Sequence, residues 1–143
     1  LKKNKPKMSM ATIFSKIISG EIPSHKVAES NDFLAFLDIN PLAMGHTLVI
    51  PKKETDFIFD IQDAEYTQLW LFAKQVAQAI KDTVPCAKVG VAVIGLEVRH
   101  AHIHLVPING VGDINFSKPK LNPAPGELAA MASTISQAYK GAN

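Results

Sequence analysis

The stretch His100-Ala101-His102-Ile103-His104-Leu105-Val106-Pro107 admits few backbone geometries. Three of the chain's five histidines stand there at i, i+2 and i+4, interleaved with apolar residues. On an extended strand successive side chains alternate faces. The spacing therefore puts the three imidazoles on one side, roughly 7 Å apart, and turns Ala101, Ile103 and Leu105 to the other. A helix would split the row, because i and i+2 point about 200° apart. The stretch thus predicts a strand with an imidazole front and an apolar back. Such a row suits metal coordination, nucleophilic catalysis with acid and base helpers, or phosphate binding by protonated rings. The residues alone leave these open, beside the plainer possibility of a solvated strand face.

The rest of the chain predicts a scaffold for that row. Ile13, Phe14, Ile17 and Ile18 give a short amphipathic helix over Thr12 to Ser19, stopped by Gly20. Lys26 to Glu29 and Phe33 to Ile39 read as hairpin strands joined at Ser30-Asn31-Asp32. After the connection Pro41 to Gly45, the run His46-Thr47-Leu48-Val49-Ile50 forms a strand ended by Pro51, so a fourth histidine opens a strand. The longest helix spans Asp63 to Thr83, with Asp63 as N-cap, a stripe of Leu69, Phe72, Ala73, Val76, Ala77 and Ile80, and Trp70 on its flank. Val89 to Leu96 is continuously apolar, as a strand covered on both faces would be, and should pair antiparallel with the histidine strand. Asn109 to Gly126 is rich in Gly and Pro, a long irregular segment of the kind that is functional or lies across a partner. Glu127 to Tyr139 carries helical spacing again. Consecutive strands without helical crossovers predict an α+β fold: a mostly antiparallel five-stranded sheet with two main helices.

Composition narrows the class. With 143 residues, 47% apolar and 20% charged, one globular domain over residues 11–143 is expected, and residues 1–10 read as a disordered arm or an over-read start, Met8 and Met10 being better starts than Leu1. The net charge of +2 owes much to Lys2, Lys3, Lys5 and Lys7 and argues against nucleic acid or membrane as partner. No apolar run approaches the roughly 20 residues of a membrane span. A single cysteine, Cys86, permits no internal disulfide and points to the cytosol.

Several motifs in register carry a resemblance. His100-Ala101-His102-Ile103-His104-Leu105-Val106 fits the pattern His-φ-His-φ-His-φ-φ, with φ apolar. Thr12-Ile13-Phe14-Ser15-Lys16-Ile17-Ile18, Glu21-Ile22-Pro23, Leu34 to Ile39 and Gly45 to Lys53 precede it in the same order. Over about residues 11–108 the chain resembles the histidine triad (HIT) proteins, in their Hint-like, bacterial-type branch. The resemblance implies a HIT-like fold, a homodimer whose sheets join into one, and a nucleotide hydrolase or transferase. Its substrates would be purine nucleoside monophosphate conjugates, as for nucleoside phosphoramidases, attacked at the α-phosphorus.

By the same resemblance His102 is the nucleophile, forming a nucleotidyl-histidine that water resolves. His104 would contact phosphate or the leaving group, while His100 and His46 hold the triad in place. Asp38 would accept hydrogen bonds from the ribose hydroxyls, and Ile13, Phe14, Ile17, Phe36, Ile39 and Leu48 would surround the base. His25 matches no such position and reads as a surface residue.

Three departures from the family pattern matter. Thr12 and Ser15 stand where some bacterial members carry Cys-x-x-Cys, and hydroxyls are poor zinc ligands, so no metal or other cofactor is expected. The run Val93-Ile94-Gly95-Leu96 lacks the asparagine that contacts phosphate in many members, which would leave that contact to backbone N–H groups. Glu97, three residues before the triad, replaces Ser or Gln; facing the leaving group it would repel polyphosphates and favour amines. Two alternatives remain at this level. One is a dinucleoside-polyphosphate hydrolase, for which Arg99 is the one obvious extra cation near the triad; the other is a nucleotide-binding scaffold dimer with little turnover.

Overall fold

A computed structural model of the chain describes residues 12–141, so the expected N-terminal arm, residues 1–10, lies outside the described residues. The element order is α1 (Ile13–Ser19), β1 (Lys26–Glu29), β2 (Phe33–Leu37), β3 (Thr47–Pro51), α2 (Asp63–Thr83), β4 (Lys88–Ala92), β5 (Ile103–Ile108) and α3 (Pro125–Ala138). The strands form one sheet in the order β1-β2-β3-β5-β4, every neighbouring pair antiparallel. The α+β fold with a five-stranded antiparallel sheet is the one the sequence predicts, with α1 as a third, short helix.

Local chemistry explains the element ends. Thr12 caps α1 by accepting the Ser15 N–H on its hydroxyl at 3.0 Å, and Gly20 closes it in the left-handed region at φ 85°. Pro125 occupies the first turn of α3, where its missing N–H costs nothing, and the Glu127 carboxylate accepts the Ala124 N–H. Asp63 is the first residue of α2 rather than its cap; Gln62 holds the cap position without a side-chain bond.

Alternation along the strands divides the apolar residues between two faces. On one, Phe33, Ala35, Leu37, Val49, Ile103 and Leu105 pack beneath α2 and α3, which contribute Leu69, Phe72, Val76, Ile80, Leu128 and Ile135. On the other, Leu34, Phe36, Leu48 and Ile50 are covered by Phe14 and Ile17 of α1. The register aligns Phe36, Leu48, His104 and Ala92 across four strands, so this second face leads straight to the triad.

Three expectations shift. Strand β2 stops at Leu37 because Asp38 Oδ1 accepts the Asn40 N–H at 2.9 Å and turns the chain. The triad begins before its strand: β5 starts at Ile103, since the Ala101 N–H goes to the Thr55 carbonyl at 2.7 Å instead of into the ladder. The apolar run Val89–Leu96 is not covered on both faces. Its strand is the sheet edge and ends at Ala92, and Val91, Val93, Ile94 and Leu96 are exposed.

Gly45, just ahead of His46, adopts φ +100°, and a Cβ there would lie 3.2 Å from both Pro107 Cγ and Val84 Cγ2. Backbone strain and crowding act together. Gly45→Ala is expected to cost about 2–3 kcal/mol, a fall in Tm of roughly 5–10 °C in a chain of this size, read by thermal unfolding.

Candidate active site

The triad residues reach one site from two strand ends. His46 sits two residues before Leu48 on the face shared with His104, while His102 and His100 extend the same face back from β5. Ring centroids are 4.9 Å apart for His102 and His104 and 5.2 Å apart for His46 and His104. Phe14 of α1 meets His102 edge to face at 4.9 Å and His100 at 5.9 Å. The predicted convergence of the imidazoles on one side is present, although only His104 lies within the regular strand.

Backbone groups fix which nitrogen of each ring carries the proton. The Leu42 N–H donates to His46 Nδ1 at 3.0 Å, so a neutral His46 carries its hydrogen on Nε2. That Nε2–H donates to His104 Nδ1 at 3.0 Å, which leaves the hydrogen of neutral His104 on its own Nε2. His102 Nδ1 faces the His100 carbonyl at 2.7 Å and must donate, so a neutral His102 carries its lone pair on Nε2. His100 Nε2 likewise donates to the Pro51 carbonyl at 2.7 Å, so its Nδ1 accepts from the Thr12 hydroxyl at 3.2 Å. One ring thus offers a lone pair and its neighbour a hydrogen-bond donor.

Burial keeps the supporting rings neutral. It pushes His46 down to about 4 and His104 to about 3, with nearby positive charge adding to the effect, and it also lowers His100. Burial raises the Asp38 carboxyl, against the Asn40 N–H bond and the Lys120 ammonium, which lower it. Asp38 Oδ2 lies 3.8 Å from His46 Nε2.

Comparison with known proteins identifies the family. The family model described as HIT domain matches residues 19–110. The chain belongs to the HIT family. This HIT protein is 43% identical over 101 residues to adenosine 5'-monophosphoramidase HNT1 of Saccharomyces cerevisiae, covering 70% of this chain and 64% of that one. Adenosine 5'-monophosphoramidase hnt1 of Schizosaccharomyces pombe is 32% identical over 133 residues, 92% of this chain and 100% of its own. Among solved structures, a Hit-like protein of Bartonella henselae superposes with TM-score 0.77 at 30% identity, covering 89% of this HIT protein and 95% of its own chain.

The remaining candidates divide by placement. Phe14, Ile17, Phe36 and Leu48 are buried in the apolar layer beneath the site, whereas Ile13 and Ile39 are 48% and 59% exposed and free to touch a ligand. Glu97 is exposed on the bend before the triad, and His25 is half-buried. Arg99 does not join the site; its guanidinium pairs at the surface with Asp56 at 3.5 Å.

Two residues from the irregular tail do join, and the sequence reading missed both. The Phe116 ring lies 4.6 Å from His104 and 6.1 Å from His46. Lys120, tied to the Phe116 carbonyl at 2.8 Å, brings a positive charge that depresses His46 and His104. The Leu121 N–H bonds the Pro41 carbonyl at 2.9 Å and seats this segment on the β2–β3 connection. Asp38, His46 and His104 each offer a ligand atom, all within 4.8 Å of one another. A metal there would have to displace the Nε2 proton of His46 from its bond to His104. No described helix is long and apolar enough to cross a membrane.

Proposed function

We propose that this HIT protein hydrolyses nucleoside 5'-phosphoramidates or related purine nucleoside monophosphate conjugates through a nucleotidyl intermediate on His102. One observation carries the reading: the His100 carbonyl accepts the Nδ1–H of His102, which puts the lone pair of the neutral ring on Nε2. Nε2 attacks the α-phosphorus; the bond to the amine breaks with its electron pair on the departing nitrogen, which takes a proton from solvent. Positive charge then develops on the His102 ring, and the His100 carbonyl already faces the N–H that bears it. Water attacks the phosphorus next, returns the pair to Nε2 and loses its proton to solvent. His104, neutral and carrying Nε2–H, donates to a phosphoryl oxygen or the leaving group without becoming a cation.

Asp38, half-buried at the turn after β2, receives the ribose hydroxyls, and the base lies against the apolar face between α1 and β2, with Ile13 and Ile39 exposed beside it. The phosphoramidase relatives support this substrate class. A homodimer with joined sheets is supported by the exposed apolar edge at β4, whose Val91 is 50% exposed. The single Cys86 supports a cytosolic setting.

The deciding assay compares kcat/KM for adenosine 5'-phosphoramidate with that for a diadenosine polyphosphate. A preference of about 100-fold or more for the amine conjugate is expected, equivalent to about 2.7 kcal/mol of transition-state discrimination. Comparable values favour the polyphosphate hydrolase, and tight AMP binding without turnover of either favours a scaffold. Glu97→Gln should narrow the preference; an unchanged ratio removes Glu97 from leaving-group selection.

A further inference from the structure

We propose that Thr12 is a positioning residue for the nucleophile: its hydroxyl orients His100, and the His100 main chain in turn holds His102 with Nε2 toward the substrate. This rests on the reading of His102 as nucleophile. Thr12 lies 88 positions before His100 in sequence, and its Oγ1 is 3.2 Å from His100 Nδ1. The Pro51 carbonyl, 2.7 Å from His100 Nε2, can only accept, which fixes the ring's hydrogen on Nε2 and makes Nδ1 the acceptor. The Thr12 hydroxyl must therefore donate to it. The same oxygen accepts the Ser15 N–H at 3.0 Å, so both capacities of the hydroxyl are used.

The arrangement is clamped on each side. His100 is fully buried, held by Pro51 from β3 and Thr12 from the start of α1, and Phe14 packs edge-on against both His100 and His102. Removing the hydroxyl leaves a buried ring nitrogen without that partner and frees the ring to tilt. The His100 carbonyl that accepts the His102 Nδ1–H hydrogen bond moves with its residue. A displacement of about 1 Å at a reacting group costs on the order of 10²-fold in rate.

Three substitutions separate this role from simple capping of α1. Thr12→Ser keeps both hydrogen bonds and should keep kcat within about twofold. Thr12→Gly keeps a competent N-cap residue but loses the hydroxyl, and Thr12→Val loses both. Both should lower kcat by about 10-fold or more with KM within about twofold. Imidazole nitrogen NMR on the intact protein gives a readout independent of turnover. In the wild type His100 should show a protonated Nε2 and a hydrogen-bonded, unprotonated Nδ1, and in Thr12→Gly the His100 and His102 signals should shift or broaden through tautomer exchange. Full kcat in Thr12→Gly, or a protonated His100 Nδ1 in the wild type, overturns the proposal. Failure of the underlying mechanism looks different, because the wild type would then turn over without any nucleotide adduct on His102.

Discussion

His102→Ala is expected to abolish the chemical step, lowering kcat for adenosine 5'-phosphoramidate by on the order of 10⁴- to 10⁶-fold, while the Kd for AMP stays within about threefold. The split follows from placement. In the proposed function His102 supplies the lone pair, whereas the ribose and base would meet Asp38, Ile13 and Ile39, none of which is hydrogen-bonded to that ring. The fold should survive, since the apolar layer behind the triad, with Ile103 and Leu105 buried, is untouched. Single-turnover kinetics with isothermal titration of AMP checks both halves. Retained turnover contradicts the nucleophile, and lost AMP binding with intact fold would make the ring a binding group instead.

Stability should fall steeply on mild acidification. His46 and His104 have folded pKa values of about 4 and 3, and His100 is also lowered, against an unfolded value near 6.5. Below about pH 6.5 the unfolded chain binds protons that these folded rings refuse. The stabilisation is thus fully present above that pH and is lost as pH falls toward the folded values. His46 and His104 each contribute about 1.4 kcal/mol per pH unit in that window, up to about 3 kcal/mol per unit together, and the lowered His100 acts in the same direction. The raised Asp38 carboxyl opposes this in part, because it binds its proton more readily in the folded state. Denaturant unfolding at pH 7.5, 6 and 5 should show the drop, with about two protons taken up on unfolding by His46 and His104 at pH 5. A flat profile from pH 7 to 5 would show the rings protonated in the folded protein and remove the neutral relay through His46 and His104.

Periodic features were readable from the sequence because they are local. The i, i+2, i+4 spacing of the histidines requires an extended segment whatever surrounds it, and the bounds of α2 follow from its stripe and from Pro85. Val89–Leu96 misled for a related reason: an apolar run reports that something must cover it, but not whether that is the chain's own core or the outer edge of a sheet. The site's polar wiring lay beyond local pattern. His46 and His102 are fixed by the Leu42 N–H and the His100 carbonyl, main-chain groups common to all residues but proline, so side-chain identity carries little trace of them. Phe116 and Lys120 were hidden differently. They sit in an irregular tail whose landing place is set by long-range contacts, among them the Leu121 bond to Pro41 and the packing of Phe116 on His104, and no periodicity encodes these. Thr12 was legible as a helix start, and its contact with a histidine 88 residues away was not.

The most direct test of covalent transfer through His102 is mass analysis of the wild-type protein stopped in alkaline denaturant during turnover of adenosine 5'-phosphoramidate, followed by peptide mapping. One adenylyl adduct per chain is expected, located on His102 and missing from His102→Ala. Steady turnover with no adduct, or an adduct on His104 or His100, would contradict it.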